Sequence, residues 1–345
     1  MTKPPAVDVH AHFFPEPYLN LIAEEGERFG VRFRSDPKGP VIEIGPLRVG
    51  PIRPAFSDLD LRRKEMDRQG VRAHALSLTY PMVYWADGDG GLRLARVVND
   101  ALAQAHRAFP ERFVGLATLP MQEPKLALEE LGRAARLPGI RGVYLGTNIR
   151  GRELSDTDFF PVYERMEALG LPLFLHPIDV LGAHRLAPYY LGNLLGNPFD
   201  TAVAAAHLIF GGVLDRFKRL QVCLPHAGGA FPYLVGRLSR GWKVRSECKT
   251  LKHPPSAYVR RFTYDTISHS ASALSYLIKL VGSRRVMLGS DYCFDMGYER
   301  PVQVITRLAG LSRSDQARIL GGGAGPGPCR TDQAPRGRGR RSVTL

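Results

Sequence analysis

Short runs rich in β-branched and aromatic residues alternate along this chain with longer stretches of helical period. The first run is Val7-Asp8-Val9-His10-Ala11-His12, closed by Pro15. Ala73 to Leu78, Phe113 to Leu119, Gly142 to Leu145 and Leu173 to His176 follow. Leu220 to Leu224, Phe262 to Asp265 and Val286 to Gly289 bring the set to eight. Between them, apolar positions recur at helical spacing over Arg62 to Arg68, Leu92 to Ala108, Lys125 to Leu137 and Asp158 to Ala168. The same spacing marks Thr201 to Phe217, Tyr233 to Val244 and Ser270 to Val281. A helix-length connection between successive strands makes them parallel. Eight such units predict an α/β fold, a closed (β/α)8 TIM barrel rather than an open sheet.

Two segments stand outside the repeat. Arg32 to Pro54, rich in Gly, Pro and Val, predicts a small β excursion after the first strand, and His184 to Pro198, with Tyr189 and Tyr190, predicts a loop or short lid. Both follow strand ends, the face on which a barrel keeps its active site. Residues 1–320 are read as one barrel domain. From Gly321 the chain becomes Gly-Gly-Gly-Ala-Gly-Pro-Gly-Pro-Cys and then Arg-rich, so 321–345 reads as a low-complexity, disordered basic tail.

Composition narrows the class. A length of 345 residues fits one α/β barrel, and a hydrophobic share of 44% supports a large core. No run reaches the roughly 18 apolar residues of a membrane span. The start, Met-Thr-Lys-Pro-Pro-Ala-Val-Asp, lacks the apolar stretch of a signal peptide, so a cytoplasmic protein without membrane association is expected. Cys223, Cys248, Cys293 and Cys329 show no paired spacing, which argues against a disulfide framework and against a cysteine-based zinc site. The net charge is +14; five Arg against Asp332 give the tail +4, leaving +10 for the body. That excess suits a small anionic substrate or a weak nucleic-acid affinity, with a solvated surface as the first reading. No nucleic-acid motif is present, and no nucleic-acid partner is expected.

The candidate chemistry lies at strand ends. Period-two alternation puts Asp8, His10 and His12 on one face of the first strand, where two imidazoles can aim at one metal ion. His176 ends the fifth run in Leu-Phe-Leu-His-Pro. His226 follows the sixth in Val-Cys-Leu-Pro-His-Ala-Gly-Gly, and Asp291 follows the eighth in Val-Met-Leu-Gly-Ser-Asp. Taken singly, His176 and His226 read as satisfied core histidines and Asp291 as a helix cap. Together, at four strand ends of one barrel, they read as a site. The remaining histidines carry less: His74 should sit low in the barrel, and His106, His207 and His253 lie in or near helices. His184 and His269 are in loops, where a surface position is the first reading and substrate contact the second.

These motifs, with Glu65-Met66-Asp67 before Gly70-Val71, Arg112 to Leu116, Leu119 to Gln122 and Gly236-Arg237, resemble the amidohydrolase superfamily. More narrowly, the chain from about residue 7 to 320 is similar to the 2-amino-3-carboxymuconate-6-semialdehyde decarboxylase group. The resemblance implies one divalent metal ion, zinc in most such enzymes, held by His10, His12, His176 and Asp291 with a water. It implies His226 as the general acid/base beside that water. Binuclear relatives bridge two metals with a modified Lys after the fourth strand, whereas Gly142 to Asn148 contains none, so one ion is expected. Imidazole and carboxylate suit zinc, and a cation brings its bound water toward a neutral pKa. A neighbouring histidine can then move a proton at physiological pH. In a non-oxidative decarboxylation the carbon that loses CO2 gains a proton; whether water attacks or relays that proton stays open.

The resemblance also implies substrate-binding arginines, whose planar fork matches a carboxylate. Arg237 and Arg245 are the first pair, one of them reaching across the interface of a homodimer. Arg48 and Arg53 both match a further family arginine imperfectly, with Arg48 slightly favoured; for all four, a surface charge is the alternative. The chain departs from the family pattern at Ile178, where Trp is usual, at Cys293 in Asp-Tyr-Cys-Phe, at Ala227, and past Leu320. The reading is a metal-dependent non-oxidative decarboxylase (a carbon–carbon lyase) of a small aromatic-derived or carboxymuconate-semialdehyde-type acid. Its alternatives are a metal-dependent hydrolase of a lactone, amide or carbon–carbon bond and, less in keeping with an intact site, a binding protein.

Overall fold

The computed structural model describes residues 5–45 and 47–321. The tail expected to be disordered lies, past Gly321, outside the described residues. The first strand, β1 (Val7–His12), is buried along its whole length. Helix Glu16–Glu25 leads from it into an antiparallel sheet of β2 (Val31–Arg34), β3 (Val41–Ile44) and β4 (Leu47–Val49), the expected excursion. Its pairing, Val31 opposite Ile44 and Ile42 opposite Val49, buries Val31, Ile42 and Val49 in the common core.

The barrel continues with β5 (Ala73–Ser77), β6 (Phe113–Ala117) and β7 (Ile140–Gly146). A hairpin of β8 (Asn148–Ile149) and β9 (Arg152–Glu153) interrupts it before β10 (Leu173–His176), β11 (Val222–Leu224) and β12 (Phe262–Tyr264). The sheet order β1-β5-β6-β7-β10-β11-β12 is parallel throughout. Each later strand of this seven-stranded sheet is entered from a helix or short helical turn. Helix Leu59–Gln69 starts where the Asp58 carboxylate accepts the amides of Asp60 and Leu61 at 2.8 Å, and stops at Gly70 with φ 74°. Helix Gly88–Ala108 buries Leu94, Val98, Leu102 and Ala105, the spacing that predicted it.

The eighth run closes the barrel without forming a ladder. Val286 bridges Tyr264 on one side, and Tyr292 bridges Ala11 on the other. The Met287 amide donates to Tyr264 O at 2.8 Å, and Val9 donates to Leu288 O at 2.9 Å. Side chains replace the missing ladder bonds: Gly289 donates to Thr266 Oγ1 at 3.0 Å and Ser290 to Asp8 Oδ1 at 3.1 Å. The chain is thereby freed to leave extended geometry at Asp291, whose φ is 63°.

Two helical details differ from the sequence pattern. The stretch Thr201 to Phe217 is two helices, Asn197–Phe210 and Val213–Arg216, because Gly212 takes φ 72° and breaks the run. The expected lid consists of short helical turns from Ala183 to Gly196 that run directly into helix Asn197–Phe210. Among the described residues, Cys223, Cys248 and Cys293 are free thiols, and no helix is long and apolar enough to cross a membrane.

Candidate active site

Parallel strands deliver their carboxyl ends to one face, and the site assembles there. His10 and His12 come from β1, His176 is the last residue of β10, and His226 sits in the turn after β11. Asp291 comes from the closing segment. His226 and Ala227 hold φ of 52° and 56°, a region costly for residues with a side chain. The two glycines that follow are required by space. A Cβ on Gly228 would sit 2.7 Å from the Tyr264 ring, and one on Gly229 would sit 2.2 Å from Pro198 O.

One donor atom from each of His10, His176, His226 and Asp291 lies within 4.8 Å of the others. His12 joins them: its Nε2 is 3.1 Å from His10 Nε2 and 2.9 Å from Asp291 Oδ1. His226 Nε2 stands 3.8 Å from the second oxygen, Asp291 Oδ2. His10 Nδ1 donates to Asp265 Oδ2 at 2.8 Å and His176 Nδ1 to Pro177 O at 3.0 Å, assignments that follow from the partners being acceptors. Both rings therefore turn Nε2 toward the same small volume.

Burial sets the charge states. It lowers His12 to about 4 against the pull of Asp291, and it lowers His176 well below the ordinary histidine value, helped by His12 and His10. Asp291 behaves oppositely: burial opposes its charge, but hydrogen bonds from His12 and His226 hold it well below the usual carboxylate range. Against the burial that would lower it, the neighbouring Asp265 and Asp291 carboxylates raise the His10 pKa. Imidazole nitrogens and a carboxylate gathered this closely, with His10 Nε2 and His12 Nε2 3.1 Å apart, form a donor set that a divalent cation satisfies. The cluster fits such an ion on the chemistry of its donors alone.

The arginines are placed differently from the histidines. Arg48, on β4, is exposed and paired with Asp36. Arg53 is also exposed, but its charge reaches Cys293, two residues beyond Asp291; there burial pushes the thiol up to about 11 against the opposing pull of Arg62 and Arg53. Arg237 is exposed on helix Phe231–Val244, and Arg245, at that helix's end, is exposed and bonded to Glu247. The structure thus brings the four histidines and Asp291 together and leaves all four arginines outside that cluster. Among the other histidines, His74 is fully buried on β5, His106 bonds Phe113 O at 2.8 Å, and His207 meets Ser155 Oγ at 3.0 Å. His269 is exposed but near enough to Asp291 and His226 to feel both charges, with burial, the larger effect, lowering its pKa.

Sequence reasoning missed two residues of the site's frame. Asp265 accepts from His10 and from the amides of His226 and Ala227; its signal was an acid closing the seventh run, a position that in barrels carries chemistry. Arg62, buried completely, donates to the carbonyls of His12 and Ala55 and lies 4.7 Å under the Tyr292 ring. Nothing in its sequence context separates it from its neighbour Arg63.

Comparison with known proteins adds three likenesses. The chain is 35% identical over 324 residues to 2-amino-3-carboxymuconate-6-semialdehyde decarboxylase of Dictyostelium discoideum, covering 92% of this chain and 90% of that one. It superposes on the 5-carboxyvanillate decarboxylase of Sphingomonas paucimobilis with a TM-score of 0.80 and 30% identity, over 93% of this chain and 97% of that one. A dihydroxybenzoic acid decarboxylase from Polaromonas sp. JS666, determined with bound manganese and 2-nitroresorcinol, shares the fold at a TM-score of 0.75 and 23% identity, over 92% and 94% of the two chains. The amidohydrolase family model matches residues 7–325, a span that runs from the first barrel strand past the closing segment and contains every donor of the cluster. With the barrel, the donor set and that match in agreement, the chain belongs to the amidohydrolase family.

Proposed function

We infer that this chain is a metal-dependent non-oxidative decarboxylase of a small acid of the carboxymuconate-semialdehyde or hydroxybenzoate type. The observation that carries the reading is the place of His226. Its backbone is fixed, its Nε2 is 3.8 Å from Asp291 Oδ2, and 13% of its side chain is open to solvent, beside a donor set that is otherwise buried. That is the position of a group that exchanges a proton with a ligand rather than with the interior. A bound divalent cation would supply electrostatic stabilisation for negative charge that develops as CO2 departs. The carbon–carbon bond to the carboxylate breaks, its electron pair stays on the substrate carbon, and the His226 Nε2 proton forms the new C–H bond. Solvent then reprotonates the imidazole.

His10, His12, His176 and Asp291 are the proposed ligands of one ion. Three imidazoles and a carboxylate favour zinc, and the manganese of the dihydroxybenzoic acid decarboxylase makes metal analysis the arbiter. For the substrate carboxylate, Arg53 is now preferred to Arg48, because its charge reaches the Asp291 loop whereas Arg48 is engaged by Asp36. Arg237 and Arg245 are proposed to act from within a homodimer. Their helix packs on helix Asn197–Phe210, and Tyr189 (86%), Leu194, Leu195, Phe199 and Tyr233 (85%) on these helices and the turns before Asn197 are exposed apolar side chains that a second copy would cover. The free thiols are in keeping with the reducing cytoplasm. CO2 release from a panel of hydroxybenzoates and carboxymuconate semialdehydes tests the activity. Turnover of lactones or amides without CO2 release from any acid would replace it with the hydrolase reading.

A further inference from the structure

We propose that Asp265 is a positioning residue that couples metal ligation by His10 to proton transfer by His226. The proposal rests on the decarboxylase reading for its kinetic half only. Asp265 follows β12 directly and is 1% exposed. Its carboxylate accepts from four N–H donors, one on the His10 ring and three on the backbone. Oδ2 accepts from His10 Nδ1 at 2.8 Å and the His226 amide at 3.0 Å; Oδ1 accepts from the amides of Ala227 at 2.7 Å and Ile267 at 3.0 Å. The closing segment leaves room for it: a Cβ on Gly289 would lie 2.8 Å from the Asp265 Cβ and 3.1 Å from that of His10.

Two consequences follow from one group. The bond to Nδ1 keeps the His10 proton on the far side of the ring, so Nε2 offers its lone pair to the cluster. The bonds to two successive amides hold His226 and Ala227 in their positive-φ turn, which aims the His226 ring at Asp291. A shift of the carboxylate would therefore disturb ligand and proton carrier together.

Asp265→Asn tests this because it keeps the shape and spoils the acceptor pattern. With the amide nitrogen toward Oδ2's place, it opposes the donors of His10 and His226; turned over, it opposes those of Ala227 and Ile267. To accept from the first arrangement His10 must move its proton to Nε2, which blocks the ligand lone pair. Metal affinity, read by chelator competition on the folded protein without substrate, should fall about 10- to 100-fold. Turnover at saturating metal should fall about ten-fold or more. In a His226→Asn background the same change should weaken metal equally but cost no further turnover, since the residue it positions is already gone. Wild-type metal affinity, or turnover losses that multiply in the double variant, would overturn the proposal. Should Asp265→Asn not fold, Asp265→Ser, which removes the carboxylate without facing an NH2 group at His10, goes through the same measurements with the same expected and overturning results. A panel on which no acid is decarboxylated sinks the functional reading and leaves the metal-affinity result to decide the His10 half alone.

Discussion

Replacing Asp8 by Asn should stabilise the metal-free protein at neutral pH and leave it unchanged in acid. Asp8 is one pleat below His10, fully buried, with Oδ1 accepting the amides of His10 at 3.0 Å and Ser290 at 3.1 Å and Oδ2 accepting the Ser290 hydroxyl. Burial raises its pKa from 3.8 to about 6, against the lowering effect of those bonds and of His10. His74, 3.7 Å away, gives no charge in return, because burial and then Arg62 hold it well below the ordinary histidine value. An acid with a raised folded pKa binds its proton more tightly folded than unfolded. Its penalty is therefore absent below about pH 4, grows between about 4 and 6, and is complete above 6. A rise of roughly two units corresponds to about 3 kcal/mol. Asn can keep both amide bonds on its carbonyl oxygen and donate to Ser290 Oγ, so much of that sum should be recovered, about 1–3 kcal/mol at pH 8. Denaturant midpoints of metal-stripped wild type and variant from pH 4 to 8 measure it. Equal stability at pH 8, or a gap that widens as pH falls, would refute the argument.

Elemental analysis should find about one divalent ion per chain, and His176→Ala should lose both ion and activity, since a neutral ligand facing the cluster is removed. His226→Asn should keep the ion and lose roughly two orders of magnitude or more in turnover; loss of the ion would make His226 a ligand. Arg53→Ala should lower kcat/KM on a carboxylate substrate about ten-fold or more while Arg48→Ala, which frees only an exposed pair with Asp36, changes it little; steady-state kinetics on both decides between them.

The legible part of the molecule was whatever depends on periodicity or on residue type at a strand end. β1 could be read because its alternation places two imidazoles on one face, and β10 because an apolar run stops at His176. The closing segment was legible as a run but not as an irregular one, because its pairing is taken over by side chains from Asp8 and Thr266, far away in sequence. The break at Gly212 was visible only as a Gly-Gly pair inside a pattern that otherwise continued. Arg62 shows the limit most clearly. It sits on helix Leu59–Gln69 just before Arg63 and Lys64, and its burial follows from the approach of Tyr292 and the His12 carbonyl, contacts that no local pattern encodes.

Asp8, Asp265 and Asp291 are buried within one small region, yet they are not alike, and their differences explain how one cluster can hold both an ion and a mobile proton. Asp291 and Asp265 resist the cost of burial because each has histidine donors, so each stays a carboxylate. Asp8 has backbone and hydroxyl donors and no ring bonded to it, and its pKa rises instead. The ionised pair flanks His10 from opposite ends: its Nδ1 donates a hydrogen bond to Asp265 Oδ2 at 2.8 Å, and Asp291 Oδ1 lies 3.5 Å from its Nε2. Between those two anions the Nε2 face calls for positive charge, which a proton or a metal ion can provide. Burial keeps His12 and His176 from carrying a proton charge of their own, so both would be available as neutral imidazole ligands to a divalent cation. His226 stands 3.8 Å from the other oxygen of Asp291 with its side chain partly open to solvent, the one place in the cluster from which a proton can be exchanged with solvent while the other donors would hold an ion.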